Sequence, residues 1–239
     1  MSENTPQNRM DAPRPAEAER SADTMATTTR SDATAAAAPN AHHTPRAVDE
    51  TPTPEDAAVA VAALDRIMAD TPTDADIEAV TRQLGRYPRG MVAVGRRCEV
   101  CGTPLVTVTR PLVEGRIPFP TTFYLCGTAA VRAASHVEAA GAMAAYTEMV
   151  QSDPTVRAAY HRAHRIYLAF RHELARRLGD TEEHIEGISA GGLPVRVKCL
   201  HALMAQSLAM GPGVNPIGDL VLERVAGEFS PSVCHCDAA

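Results

Sequence analysis

From Gly90 to Cys126 the chain abandons helical spacing. The runs "GMVAVGRRC", "PLVTVTRPLV" and "TTFYLC" are rich in β-branched and aromatic residues and are separated by Gly and Pro turns. Short runs of this kind predict three strands in an antiparallel meander. On either side the apolar residues recur at three or four positions instead, the spacing that keeps them on one face of a helix. One block of strands flanked by helices has few packed solutions. The predicted class is α+β, a small three-stranded antiparallel meander packed with several helices.

Residues 54–69 place Val61, Leu64, Ile67 and Met68 at helical spacing behind an acidic first turn. Thr73 reads as the N-cap of a second helix that Gly85 stops. After Gly127 the pattern predicts a helix over roughly 128–150 and another from Ser152-Asp153-Pro154 to Leu178. Two more are expected, one opened by Pro194 and one by Asn215-Pro216. Proline suits a first helical position because the N–H it lacks would have no helical partner there.

Residues 1–53 contain no Leu, Ile, Phe, Tyr or Trp, and Val48 is their only Val. Such a segment cannot bury enough apolar surface to offset chain entropy. A disordered N-terminal arm over 1–53 is therefore expected, followed by a single α+β domain over 54–239. The arm carries Glu3, Asp11, Glu17, Glu19 and Asp23, unlike an acid-poor transit peptide, and no apolar run has the length of a membrane span. The expectation is a cytoplasmic protein that does not enter a membrane. A net charge of −6 argues against nucleic acid as a partner, since that footprint is basic. Lys and Arg together number 23, yet Lys198 is the only lysine.

Six cysteines are present: Cys98, Cys101, Cys126, Cys199, Cys234 and Cys236. In a reducing compartment, clustered thiols point to metal or redox chemistry before structural disulfides. "CEVCG" (98–102) puts two thiols three residues apart on a turn that Gly102 suits, so both can face one ion. In a meander the end of the third strand returns to the edge where the first strand ends, which brings Cys126 toward Cys98 and Cys101. Cys199 is the fourth ligand expected for a tetrahedral ion, with His201 or the tail thiols Cys234 and Cys236 as alternatives. Cys199 and His201 stand about 200° apart on a regular helix, so only one of them would reach a shared ion. The bland reading of Cys126 or Cys199 is a small buried core residue.

"SAGGLPVRVK" places two glycines before the helix expected at Pro194, whose first turns would carry Arg196 and Lys198. Free N–H groups and the positive helix end favour an anion there, although the spacing is not that of a phosphate loop. "GPGVNPIGD" (211–219) adds Asn215 and Asp219 to this anion-binding set if the two helix starts are neighbours.

The stretches "RQLGRYPRG" (82–90), "RRC" (96–98), "PFPT" (118–121), "DPTVRAAYHRAH" (153–164), "GGLPVRVKCLH" (191–201) and "GPGVNPIGD" (211–219) together resemble a mainly actinobacterial group, the domain-of-unknown-function family 501. The resemblance covers a core of about 74–228 and implies a bacterial cytoplasmic setting. Cys98, Arg196, Lys198, Cys199, His201, Asn215 and Asp219 match that family's signature. Where the family reads Leu-Thr-Cys-Pro or Leu-Thr-His-Pro, this chain has Leu125-Cys126-Gly127-Thr128, which places the thiol one residue early.

The functional expectation is one structural zinc held by Cys98, Cys101, Cys126 and Cys199 in a binding or regulatory module. Its partner would be a protein or a small anionic ligand at the Arg196/Lys198 face. The alternative is a zinc-dependent hydrolase acting on an anionic, phosphate-bearing substrate. In it the ion has three protein ligands, and His201 or Asp219 is the general base. A thiol-redox role for Cys98 and Cys101 lacks the usual βαβ context, and four thiolates also suit an iron–sulfur cluster.

Overall fold

Two threonines start the first two helices in the same way. Thr53 caps α1 (Pro54–Met68) and Thr73 caps α2 (Asp74–Leu84), each through a reciprocal box with an Asp three residues on. Each Asp then serves a second partner. Asp56, almost fully buried, receives Arg165 Nε at 2.8 Å, and Asp76 receives Arg97 Nη1 at 2.6 Å. The caps thereby bind two short helices to distant parts of the chain. The computed structural model describes residues 51–236. These residues fall in one compact unit. The arm expected over 1–53 lies, apart from Thr51, Pro52 and Thr53, outside the described residues.

The β-branched block folds as expected. β1 (Met91–Arg97) and β2 (Pro104–Thr109) pair antiparallel. A small hairpin follows, β3 (Leu112–Val113) with β4 (Ile117–Pro118). β5 (Phe123–Leu125) then returns along β2, giving the order β1-β2-β5. Every residue of β2 is buried, as the central strand of a covered sheet should be. Val106 pairs with Leu125, so the start of β2 and the end of β5 lie together at one edge.

The helical half departs from expectation twice. The helix predicted over 128–150 is two helices, α3 (Thr128–Ala139) and α4 (Ala142–Ser152). Gly141, with φ of +77°, takes the left-handed conformation that ends one and starts the other. α5 (Pro154–Leu178) then runs from its Asp153 cap to Gly179 as predicted, and lies along α1. The helix expected at Pro194 does not start there. α6 spans Leu200–Met210, and Cys199 is its N-cap with extended angles (φ −151°, ψ 110°). Residues 179–199 form an irregular segment held by Arg171. That buried guanidinium donates to Glu182 Oε1 and Ile185 O, each at 2.6 Å, and to Ile188 O. The carbonyls of Ile185 and Ile188 are thus satisfied by this side chain, not by a helix.

α6 is the centre of the molecule. All of Ala202–Met210 is buried, because the helix meets α3 and α7 (Pro216–Arg224) on some faces and the sheet on another. Its polar residues are therefore paired. Gln206 donates to Ala163 O at 2.9 Å and accepts from Asn215 Nδ2 at 2.8 Å. α7 crosses so closely that a Cβ on Gly218 would lie 2.2 Å from Leu203 O. Only glycine permits that approach.

Candidate metal centre

The knuckle forms where β1 ends. Cys98 N–H donates to Thr103 O and Gly102 N–H to Cys98 O, both at 2.9 Å, closing a tight turn that turns Cys98 and Cys101 toward one cleft. A second strand of chain arrives from the far end of the sequence. Beyond α7, Val225 and Phe229 are buried and fix the tail, and Glu99 N–H donates to Pro231 O at 2.8 Å. Cys234 and Cys236 are thereby delivered to the knuckle. The sulfurs of Cys98, Cys101, Cys234 and Cys236 all lie within 4.8 Å of one another. They line a cleft of about 620 Å³ together with Gln83 and Phe229.

A group of four thiols at this separation can hold a metal ion. The electrostatics fit that role. The Thr103 hydroxyl, 3.2 Å from Cys101 Sγ, helps to lower that thiol to about 6. Burial, with Cys101 and Cys98 alongside, pushes Cys236 up to about 12. The sulfurs compete, since ionising one raises the cost of ionising the next, and a cation among them removes that conflict.

Of the four ligands expected from sequence, this cluster contains Cys98 and Cys101 but neither Cys126 nor Cys199. The meander does return Cys126 to the expected edge, where its N–H donates to Leu105 O at 2.9 Å. Its side chain is directed into the core, however, 1 % exposed, with Sγ 3.6 Å from Pro104 O. Burial pushes this thiol up to about 12, which disfavours the thiolate a metal needs. Topology placed the backbone correctly, and Cys126, just past β5, packs its side chain inward against Pro104.

Cys199 belongs to a different group. Its sulfur lies with Glu138 and His201, the three ligand atoms within 4.8 Å of one another. The argument that helix geometry separates Cys199 from His201 fails because Cys199, as the N-cap, has extended backbone angles. Glu138, on α3, accepts Leu200 N–H at 2.6 Å and faces His201 Nδ1 at 3.1 Å. The Cys199 sulfur and the Glu138 carboxylate hold His201 up at about 9 against the opposing effect of burial.

The four anion-binding candidates are not brought together. Arg196 and Lys198 line a shallow cleft beside Thr147 and Gln151 of α4. Because α6 begins only at Leu200, neither stands on a helix start. Asn215 is buried as the cap of α7, accepting from Ile217 and Gly218 N–H. Asp219 accepts Gly213 N–H at 2.7 Å. Both side chains serve the α6–α7 turn.

The sequence reading holds Cys234 and Cys236 only as alternatives to Cys199 for the fourth ligand. The overlooked signal was the apolar pair Val225 and Phe229, which anchors the tail just before its thiols. Glu138 carried no local signal at all. Among the described residues no helix is long and apolar enough to cross a membrane. Comparison with curated proteins and with solved structures gives no match. The family described as "Protein of unknown function (DUF501)" matches residues 94–223, more than half of the chain, and the chain belongs to that family.

Proposed function

We propose that the chain is a zinc-binding module in which Cys98, Cys101, Cys234 and Cys236 hold one ion as thiolates. The observation that carries this reading is the mutual approach of four sulfurs within 4.8 Å. A tetrahedral ion about 2.3 Å from each sulfur needs sulfurs about 3.8 Å apart, close to that limit. An iron–sulfur cluster spreads its thiolates over several irons and needs wider spacing. Four protein thiolates fill the coordination shell, so this ion is structural and fastens the tail to the sheet edge. The activity beyond this is binding. The Arg196/Lys198 cleft suits a small anionic ligand or an acidic stretch of a partner protein.

The test is metal analysis of the full chain purified without chelators, beside Cys98→Ser, Cys236→Ser and Cys126→Ser. The first two are expected to lose about one equivalent of zinc relative to the parent, and the third none. Equal metal in the parent and in Cys98→Ser would overturn the reading. A coloured, iron-bearing protein would replace zinc with iron at the same thiolates.

A further inference from the structure

We propose that Glu138, Cys199 and His201 form a second metal site, for a zinc-type divalent cation, with one coordination position open to the neighbouring cleft. The inference does not rest on the four-thiolate reading. It begins from the convergence of three unlike donors, a carboxylate oxygen, a sulfur and a ring nitrogen, within 4.8 Å. Zinc and its neighbours accept all three donor types.

The orientation of His201 carries the argument further. Nε2 lies 3.2 Å from Val131 O and 3.1 Å from Ser135 Oγ. The Ser135 hydroxyl donates to Val131 O at 2.8 Å, so its remaining role toward His201 is to accept. Nε2 therefore carries the N–H. Nδ1, on the side of Glu138, is then the nitrogen a cation would take, displacing its proton. A histidine that binds a metal through one nitrogen and gives its other N–H to a carbonyl is the usual outer-shell arrangement, because it fixes both tautomer and ring plane.

Glu138 is fixed as well. The Leu200 amide holds Oε1, and a carboxylate with about four lone-pair sites keeps others for an ion. The three donors come from two elements that pack together, α3 and the start of α6, so the site is assembled by the core itself. Cys199 and His201 also line a cleft of about 500 Å³. With three protein donors, a tetrahedral ion has one position left for water or an exogenous ligand from that cleft, the arrangement found in catalytic zinc sites. The competing account is a metal-free cap in which Nδ1–H donates to Glu138. That account holds a protonated His201 between the Glu138 carboxylate and the Cys199 sulfur, and counting ions separates it from the metal site.

The experiment uses the full chain and counts ions. The parent is expected to bind about two zinc ions, with about one lost in His201→Ala and in Glu138→Gln, while Cys98, Cys101, Cys234 and Cys236 stay protected from alkylation. Glu138→Gln keeps the acceptor for Leu200 N–H, so it reads the site even where His201→Ala fails to fold. With cobalt as the probe ion, azide is expected to change the visible spectrum of the parent but not that of Glu138→Gln. Unchanged stoichiometry in both variants overturns the second site whatever happens at the four cysteines. An azide-insensitive spectrum overturns its open position. A parent that binds one ion, lost in Glu138→Gln, while Cys98, Cys101, Cys234 and Cys236 react freely with alkylating agent, would overturn the proposed function and leave this inference standing.

Discussion

The two clusters are built in opposite ways. The sulfur cluster joins a turn at the sheet edge to a tail that reaches it from more than 130 positions away in sequence, and two of its four thiols are exposed. The Glu138–Cys199–His201 cluster is set into the wall of the central helix, and its imidazole and carboxylate are 27 % and 24 % exposed. The first is uniform in donor type and complete. The second is mixed and one donor short. A peripheral joint gains from an ion that saturates it, because the tail is held by a short set of contacts: Val225, Phe229, the Glu228–His136 pair and one backbone bond from Glu99. A site framed by the core needs no ion for its shape and can leave a position free. On the proposed readings, placement in the fold would separate a structural role from a reactive one.

The sharpest way to break this contrast is to remove metal. Chelation should cost on the order of 4 kcal/mol, about 10 °C in the unfolding midpoint, and should free the tail. Limited proteolysis with mass spectrometry is expected to clip residues beyond Phe229 first while α1 to α7 stay intact. Uniform digestion would mean that the sulfur cluster is no peripheral joint.

The next effect tests the frame of the mixed cluster. Gly218→Ala drives a methyl against the Leu203 carbonyl, 2.2 Å away, and should destabilise by about 3 kcal/mol in urea melts. Separating α7 from α6 disturbs the helix that carries His201, so metal at that cluster should weaken with it. Metal at the four thiols should change less, since the knuckle stands on β1. Equal weakening at both would erase the difference.

Asp76→Asn reaches the other side. Asp76 and Asp70 grip Arg97, the residue before Cys98. The Arg97 guanidinium holds the Asp76 carboxyl down at about 2 from its ordinary 3.8. A depressed folded value means this contribution is present above about pH 4 and is lost as pH falls through 2. Its size is on the order of 2 kcal/mol. The variant should show that loss at pH 7 and a flatter acid limb in pH-dependent denaturation. An unchanged acid limb would remove the ion pair from the account of the knuckle.

The smallest effect belongs to the cationic cleft. Arg196→Ala with Lys198→Ala should alter stability by no more than about 0.5 kcal/mol, since both side chains are exposed. Inorganic phosphate should raise the parent's melting midpoint and leave the double variant's unmoved. A phosphate response that survives the substitutions would move anion binding away from this face.

Local chemistry was legible wherever a residue's neighbours in sequence were also its partners in space. Thr73, Gly85, Asp153 and Asn215 cap or stop helices as read, because capping is a bond between residues two or three apart. The strand block and its return at Cys126 followed from turn chemistry and from the rule that neighbouring runs pair. The helix expected at Pro194 starts instead at Leu200, whose N–H is held by Glu138, more than sixty residues earlier. Arg171 holds the irregular segment before it through Glu182, Ile185 and Ile188.

By itself, then, the sequence determined the α+β class, the capping residues of α2, α5 and α7, and the knuckle of Cys98 and Cys101. It also determined that Cys126 would return to the knuckle's edge. Only the tertiary structure decided which thiols share a site. A side chain's direction depends on which face of a strand or helix end the core occupies, and this turned Cys126 inward and gave Cys199 to Glu138 and His201. The tail thiols depended on a contact across the chain, the bond from Glu99 N–H to Pro231 O, which sets the end of the tail beside the knuckle.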